Sequence, residues 1–121
     1  MFFGTQCAAV GPLLTSQYPR AVVHGKFIGS SLPSYFPGGT PITMKVVAEE
    51  ESGRIVAAQA VGSNASQRVN VFACAILQEA TVDALQKLET TYAPPIAPIL
   101  NVITLACDVV QLKRLRKKRE R

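Results

Sequence analysis

Apolar residues recur at every second position between Ile42 and Ala48: Ile42, Met44, Val46 and Ala48 alternate with Thr43, Lys45 and Val47. A period of two predicts a strand with one buried face. Glu50-Glu51-Ser52-Gly53 follows as a turn, and Ile55–Val61 is a second apolar run, so the two segments predict an antiparallel hairpin. Upstream, residues 21–31 alternate more loosely through Val22, Val23, Phe27 and Ile28 and predict another strand. Pro33, Pro37, Gly38 and Gly39 then enforce a loop.

After Gly62-Ser63-Asn64, a candidate helix cap, the period changes to 3.6. Val69, Phe72, Ala73, Ile76 and Leu77 form one stripe of a helix over 65–80. Thr81 caps a short helix over 82–88 with Val82, Leu85 and Leu88 on one face. Pro94, Pro95 and Pro98 hold 92–98 extended. A long helix over 99–118 follows, apolar through Leu100, Ile103, Ala106 and Val110. Its apolar face weakens after Leu115, so the basic end is expected to fray into solvent. Residues 1–20 carry no clear pattern beyond a short helical turn opening at Gly11-Pro12 and reaching Gln17. Strands followed by helices, without βαβ alternation, predict an α+β fold: an antiparallel β-sheet with helices packed on one face. The expected organisation is a poorly defined segment at 1–20, one domain over 21–112 and a basic tail at 113–121.

Composition changes this picture in three ways. The chain has 121 residues, 48% of them hydrophobic, which suits one domain with a core and excludes a disordered chain. The net charge of +5 is local: 113–121 holds seven of the 13 basic residues and one of the eight acids. The remaining 112 residues hold six basic and seven acidic residues, a net of −1, so nucleic acid is an unlikely partner. Three cysteines without CxxC spacing predict neither a disulfide framework nor a zinc site, and fit a reducing, cytoplasmic setting. Cys74 and Cys107 fall on apolar helical faces and read as small buried hydrophobes. No apolar run approaches a membrane span, and the N-terminus lacks the charged start of a secretory signal.

Candidate chemistry is sparse. No glycine-rich nucleotide loop is present, His24 is the single histidine, and no metal site is expected. The run Glu49-Glu50-Glu51 reads as a solvated turn flank. Catalysis by this chain alone is therefore not expected. Two segments stand out instead, each placing aromatics among prolines: Ser34-Tyr35-Phe36-Pro37-Gly38-Gly39 and Thr91-Tyr92-Ala93-Pro94-Pro95. Proline holds an aromatic in a fixed pose at low entropic cost, which suits an interface or a pocket wall as well as a plug at the core's edge.

Four ordered segments carry a resemblance. These are Tyr35-Phe36-Pro37-Gly38-Gly39-Thr40-Pro41-Ile42, Ser52 through Gly62, Arg68-Val69-Asn70, and Tyr92-Ala93-Pro94-Pro95. Together, over roughly 20–112, they resemble the C-terminal dimerisation domain of pyridine nucleotide-disulfide oxidoreductases, in the coenzyme A-disulfide reductase and NADH oxidase branch. The resemblance implies an antiparallel sheet flanked by helices and a homodimer. It implies that the loop bearing Tyr92 approaches the flavin and active-site thiol of the other subunit, with Tyr92 as the catalytic residue in trans. Tyr35, Phe36, Tyr92, Pro94 and Pro95 would line the substrate pocket. Val69, Phe72 and Ile76, with Tyr92, Pro94, Pro95 and Ile96, would form the dimer interface. Full members use FAD and NAD(P)H, but the domains that bind them and the redox cysteine have no counterpart in these 121 residues. This chain alone is expected to bind neither cofactor. A separate FAD- and NAD-binding subunit is a possible partner. The alternatives are an inactive remnant of an oxidoreductase gene, or a coenzyme A- or nucleic-acid-binding module using the basic tail.

Overall fold

The computed structural model describes residues 6–12, 18–30, 40–62, 64–87 and 102–120. The elements are β1 (Cys7–Val10), β2 (Val22–Ser30), β3 (Pro41–Glu49), β4 (Ile55–Val61), α1 (Ala65–Leu77), α2 (Val82–Gln86) and α3 (Val102–Arg119). The strands pair antiparallel in the order β1-β4-β3-β2. Helices α1 and α3 lie against this sheet, as the α+β reading expects.

Register explains the core. Val23 pairs with Ala48, Gly25 with Val46 and Phe27 with Met44. Met44 in turn pairs with Ala60 and Val46 with Ala58, while Ala8 and Val10 of β1 pair with Ala60 and Ala58. Every second side chain therefore meets the helices, and these residues join Phe72, Val69, Val82 and Val110 in one cluster. Val47 pairs with Ala57 but Ala48 pairs with Ile55, so Val56 is an extra, bulged residue. Val56, Ala57 and Val47 build a small second cluster on the opposite face, covered by Tyr18 and Val22.

Three sequence expectations are corrected and one cap is refined. The N-terminal segment contributes a strand, β1, whose register with β4 closes one sheet edge. The cap expected within Gly62-Ser63-Asn64 is Asn64, in a left-handed conformation (φ 56°) and without a side-chain hydrogen bond. Helix α1 stops at Leu77 rather than 80, because Glu79 turns left-handed (φ 56°). There Glu79 N donates to Ile76 O (3.1 Å) and Ala80 N to Ala75 O (2.8 Å), a Schellman stop formed without glycine. The basic end of α3 does not fray: it is helical to Arg119. Thr81 is the cap expected, its Oγ1 accepting from Ala84 N at 3.2 Å.

Arg114 shows why the tail stays ordered. It is 6% exposed, and its Nε and Nη2 donate to the carbonyls of Glu50 (3.0 Å) and Glu51 (2.7 Å) in the β3–β4 turn. Gly53 completes the fit: its φ is +78°, and a Cβ there would lie 2.6 Å from Arg114 Nη1. Lys117 also reaches Glu50, at 3.8 Å.

Candidate functional site

The two proline-aromatic segments lie outside the described residues, so Tyr35, Phe36, Tyr92, Pro94, Pro95 and Ile96 have no described position. Their anchors do. Ser30 and Pro41 flank 31–39 and pair with each other at one end of the sheet. Helix α3 runs antiparallel to β2, since Val110 lies on Gly25 and Arg114 on the β3–β4 turn at the other end. The start of α3, which follows residues 88–101, is thus directed to the same sheet end as Ser30 and Pro41.

The predicted interface residues of α1 divide. Val69 (3% exposed) and Phe72 (fully buried) belong to the protomer's own core and have no surface to give a second copy. Ile76 is half-buried at the margin of that core. The stripe is rotated towards Ala65, Arg68, Val69, Phe72 and Ala75, which leaves Leu77 79% exposed. Cys74 lies on the same outer side and is exposed, contrary to the expectation for it, as is Cys7. Cys107 is buried as expected; burial, with Asp108 adding, pushes its thiol up to about 12, so it is no nucleophile at neutral pH. His24 is held below its ordinary value by burial and by Lys45, Lys113 and Lys117, so it is neutral at pH 7. Among the described residues no group of three His, Cys, Asp or Glu side chains could hold a metal ion. No helix among them is long and apolar enough to cross a membrane.

Of the acidic run only Glu51 is exposed as expected of a solvated flank. Glu49 is 3% exposed and Glu50 8%. Glu49 Oε1 accepts from Ser52 Oγ (2.7 Å) and Oε2 from Tyr18 Oη (3.0 Å) and Arg20 Nη1 (3.1 Å), with Arg54 Nε at 3.5 Å. A cavity of about 380 Å³ opens beside it, lined by Arg20, Ala21, Glu49, Glu51 and Ser52. Of the residues lining it, Arg20 through Nη1 and Ser52 through Oγ donate to Glu49.

The network fixes a pH dependence. The Ser52 hydroxyl first, then Tyr18, Arg20 and Arg54, hold the Glu49 carboxyl below its ordinary 4.5 despite the opposing effect of burial. A carboxylate favoured by folding stabilises above its unfolded value, and that stabilisation is lost as pH falls through the lowered folded value. Glu49→Gln is thus expected to melt below the parent at pH 7, with the gap closing below pH 4.5. A gap constant from pH 7 to pH 3 in thermal melts would show that the charge of Glu49 contributes nothing.

Comparison with known proteins gives these features a context. The family described as "Pyridine nucleotide-disulphide oxidoreductase, dimerisation domain" matches residues 3–102, so the match includes the N-terminal strand. The coenzyme A disulfide reductase of Staphylococcus epidermidis is 38% identical over 72 residues, 59% of this chain and 16% of that protein. The NADH oxidase of Methanocaldococcus jannaschii is 30% identical over 98 residues, 80% of this chain and 21% of that protein. Among solved structures, the NAD-dependent persulfide reductase of A. fulgidus superposes with a TM-score of 0.86 at 27% identity, covering 93% of this chain and 21% of that one. The chain thus spans about a fifth or less of these relatives' lengths.

Proposed function

The chain belongs to the pyridine nucleotide-disulphide oxidoreductase dimerisation-domain family, and we propose that it is the homodimerising part of a flavin- and nicotinamide-dependent disulfide reductase. The observation that carries this reading is the common root of the two proline-aromatic segments: Ser30, Pro41 and the start of α3 share one end of the sheet. In this reading Tyr92, with Pro94 and Pro95 stiffening its loop, serves the thiol site of the partner protomer. Its phenol, with an unperturbed pKa of about 10, is protonated at pH 7 and donates a hydrogen bond or proton to a thiolate there. Tyr35 and Phe36 line the substrate side of the same pocket. The FAD- and NAD(P)H-binding part is supplied by sequence outside these 121 residues or by a separate subunit. A disulfide substrate of the coenzyme A disulfide class, reduced to two thiols, follows from the names of the relatives.

The test is a chimera in which residues 3–102 replace the matching segment of the S. epidermidis coenzyme A disulfide reductase. It is expected to be dimeric and to reduce coenzyme A disulfide. Tyr92→Phe in the chimera is expected to lower kcat at least about tenfold, a modest share of what a positioned proton donor contributes, without changing the dimer or the melting curve. An unchanged kcat removes Tyr92 from this role; a monomeric chimera removes the dimerisation reading.

A further inference from the structure

The C-terminal half of α3 carries charge and apolar surface together. Residues 112–119 are two leucines and six cations, with no acid before Glu120. Three of the cations engage the body of the protein. Arg114 is buried on the β3–β4 turn, Lys117 reaches Glu50, and Lys113 Nζ donates to the His24 carbonyl of β2 (2.7 Å). These anchors fix the rotation of the helix. What they leave outward is Leu112, Leu115, Arg116, Lys118 and Arg119, all exposed and lining one shallow groove. Residues three and four apart are neighbours on a helix, so Leu112 adjoins Leu115 and Arg116, and Leu115 adjoins Lys118 and Arg119. Leu112 is 64% and Leu115 51% exposed. Among the described residues the side chains of Arg116, Lys118 and Arg119 take part in no hydrogen bond or ion pair.

We propose that this face of α3 lies on an anionic lipid surface, Leu112 and Leu115 entering between the head groups while Arg116, Lys118 and Arg119 meet their phosphates and carboxylates. A helix that rests in a bilayer interface combines apolar side chains with cations, and its binding strength comes from both. Here each leucine borders the other and at least one cation, and the long cation stems extend alongside the leucines as these sink. Nucleic acid would use the cations and leave the leucines idle. Bases stack on aromatic side chains, whereas the exposed large apolar residues of the described chain are Ile28, Val61, Leu77, Leu112 and Leu115. A helical peptide would need a longer row of apolar anchors than two adjoining leucines. Leu112 stands ten residues, about 15 Å, beyond Val102 at the start of α3. The patch is thus separate from the sheet end that roots the two proline-aromatic segments, and the inference rests neither on the role proposed for them nor on the homodimer.

The test uses the full chain and co-sedimentation with vesicles at low salt. The protein is expected to pellet with vesicles of phosphatidylserine and phosphatidylcholine, to stay in solution with phosphatidylcholine alone, and to leave the mixed vesicles as salt is raised. Arg116→Gln, Lys118→Gln and Arg119→Gln together are expected to weaken binding at least about tenfold, less than three cations at such a surface supply. Leu112→Gln with Leu115→Gln keeps every charge and is expected to weaken it at least about threefold. Leu77→Gln, equally exposed but on α1, is expected to leave it unchanged. An unaltered melting curve shows that each variant keeps the fold. The chain has no tryptophan, so Leu112→Trp is a lone reporter whose emission should move to the blue on the mixed vesicles. A parent chain that ignores phosphatidylserine overturns the proposal. So does binding that the leucine pair does not affect, or a Leu112→Trp emission that does not move. Tighter binding to polyuridylate than to the mixed vesicles, indifferent to the leucine pair, makes the patch a nucleic-acid surface instead.

Discussion

Phe72→Ala is expected to lower the unfolding free energy by about 3–5 kcal/mol, a large share of the roughly 5–15 kcal/mol that a single domain possesses. The side chain is fully buried among the residues that join α1 to the sheet. Alanine removes the apolar area and leaves a cavity, and both terms act in the same direction. Neighbours on α1 are mostly small or already packed, with Ala65, Val69 and Ala75 in the same cluster, so little is available to collapse into the space. Leu77→Ala is the control. At 79% exposure it is expected to shift stability by no more than about 0.5 kcal/mol, although it lies only five positions further along the helix. Urea unfolding of both variants checks this; equal losses would mean that the phase of α1 is wrong.

The contrast between Phe72 and Leu77 shows what the apolar pattern carried and what it did not. Period-two alternation was strong enough to locate β3, and the apolar runs located β2 and β4, because one face of each strand meets the helices throughout. Helical periodicity locates α1, but the apolar stripe Val69, Phe72, Ala73, Ile76 and Leu77 is out of phase with the buried side, which is centred between Arg68 and Phe72. A buried arginine has no apolar signature, so the apolar pattern alone points too far round the helix, towards the exposed Cys74 and Leu77. Strand β1 was illegible for a different reason. Cys-Ala-Ala-Val is short and small, and its evidence lies in the partner residues 58–61, some fifty positions away.

Charged residues were misread wherever their partners are distant in sequence. Glu49 looks solvated beside Glu50 and Glu51, yet its ligands Tyr18 and Arg20 come from 31 and 29 residues upstream. Arg114 looks like part of a solvated tail, yet it ties α3 to carbonyls 63 and 64 residues before it. In both cases the strand alternation held a clue: Glu49 continues the side of β3 that carries Val47, which is buried. The family was legible through Tyr35-Phe36-Pro37-Gly38-Gly39 and Tyr92-Ala93-Pro94-Pro95, the segments that composition alone marked as unusual.

Gly25→Val tests how tightly that helix is held. A Cβ at Gly25 would lie 2.5 Å from Val110 Cγ2 and 2.9 Å from Val110 N, so the backbone of α3 rests directly on β2. A flexible side chain could move aside, but the backbone nitrogen moves only with the helix. Overpacking of this kind costs about 1–3 kcal/mol, and contact with the main chain places Gly25→Val at the upper end of that range. Shifting α3 also loosens the hold of Arg114 on the Glu50 and Glu51 carbonyls. Stability should therefore fall in Gly25→Val, read by thermal melting. Val110→Ala in the same background relieves the Cγ2 contact but not that with the nitrogen, so it should recover only part of the loss. A Gly25→Val protein as stable as the parent would mean that α3 is not seated on β2, and the direction of its far face would then no longer follow from the fold.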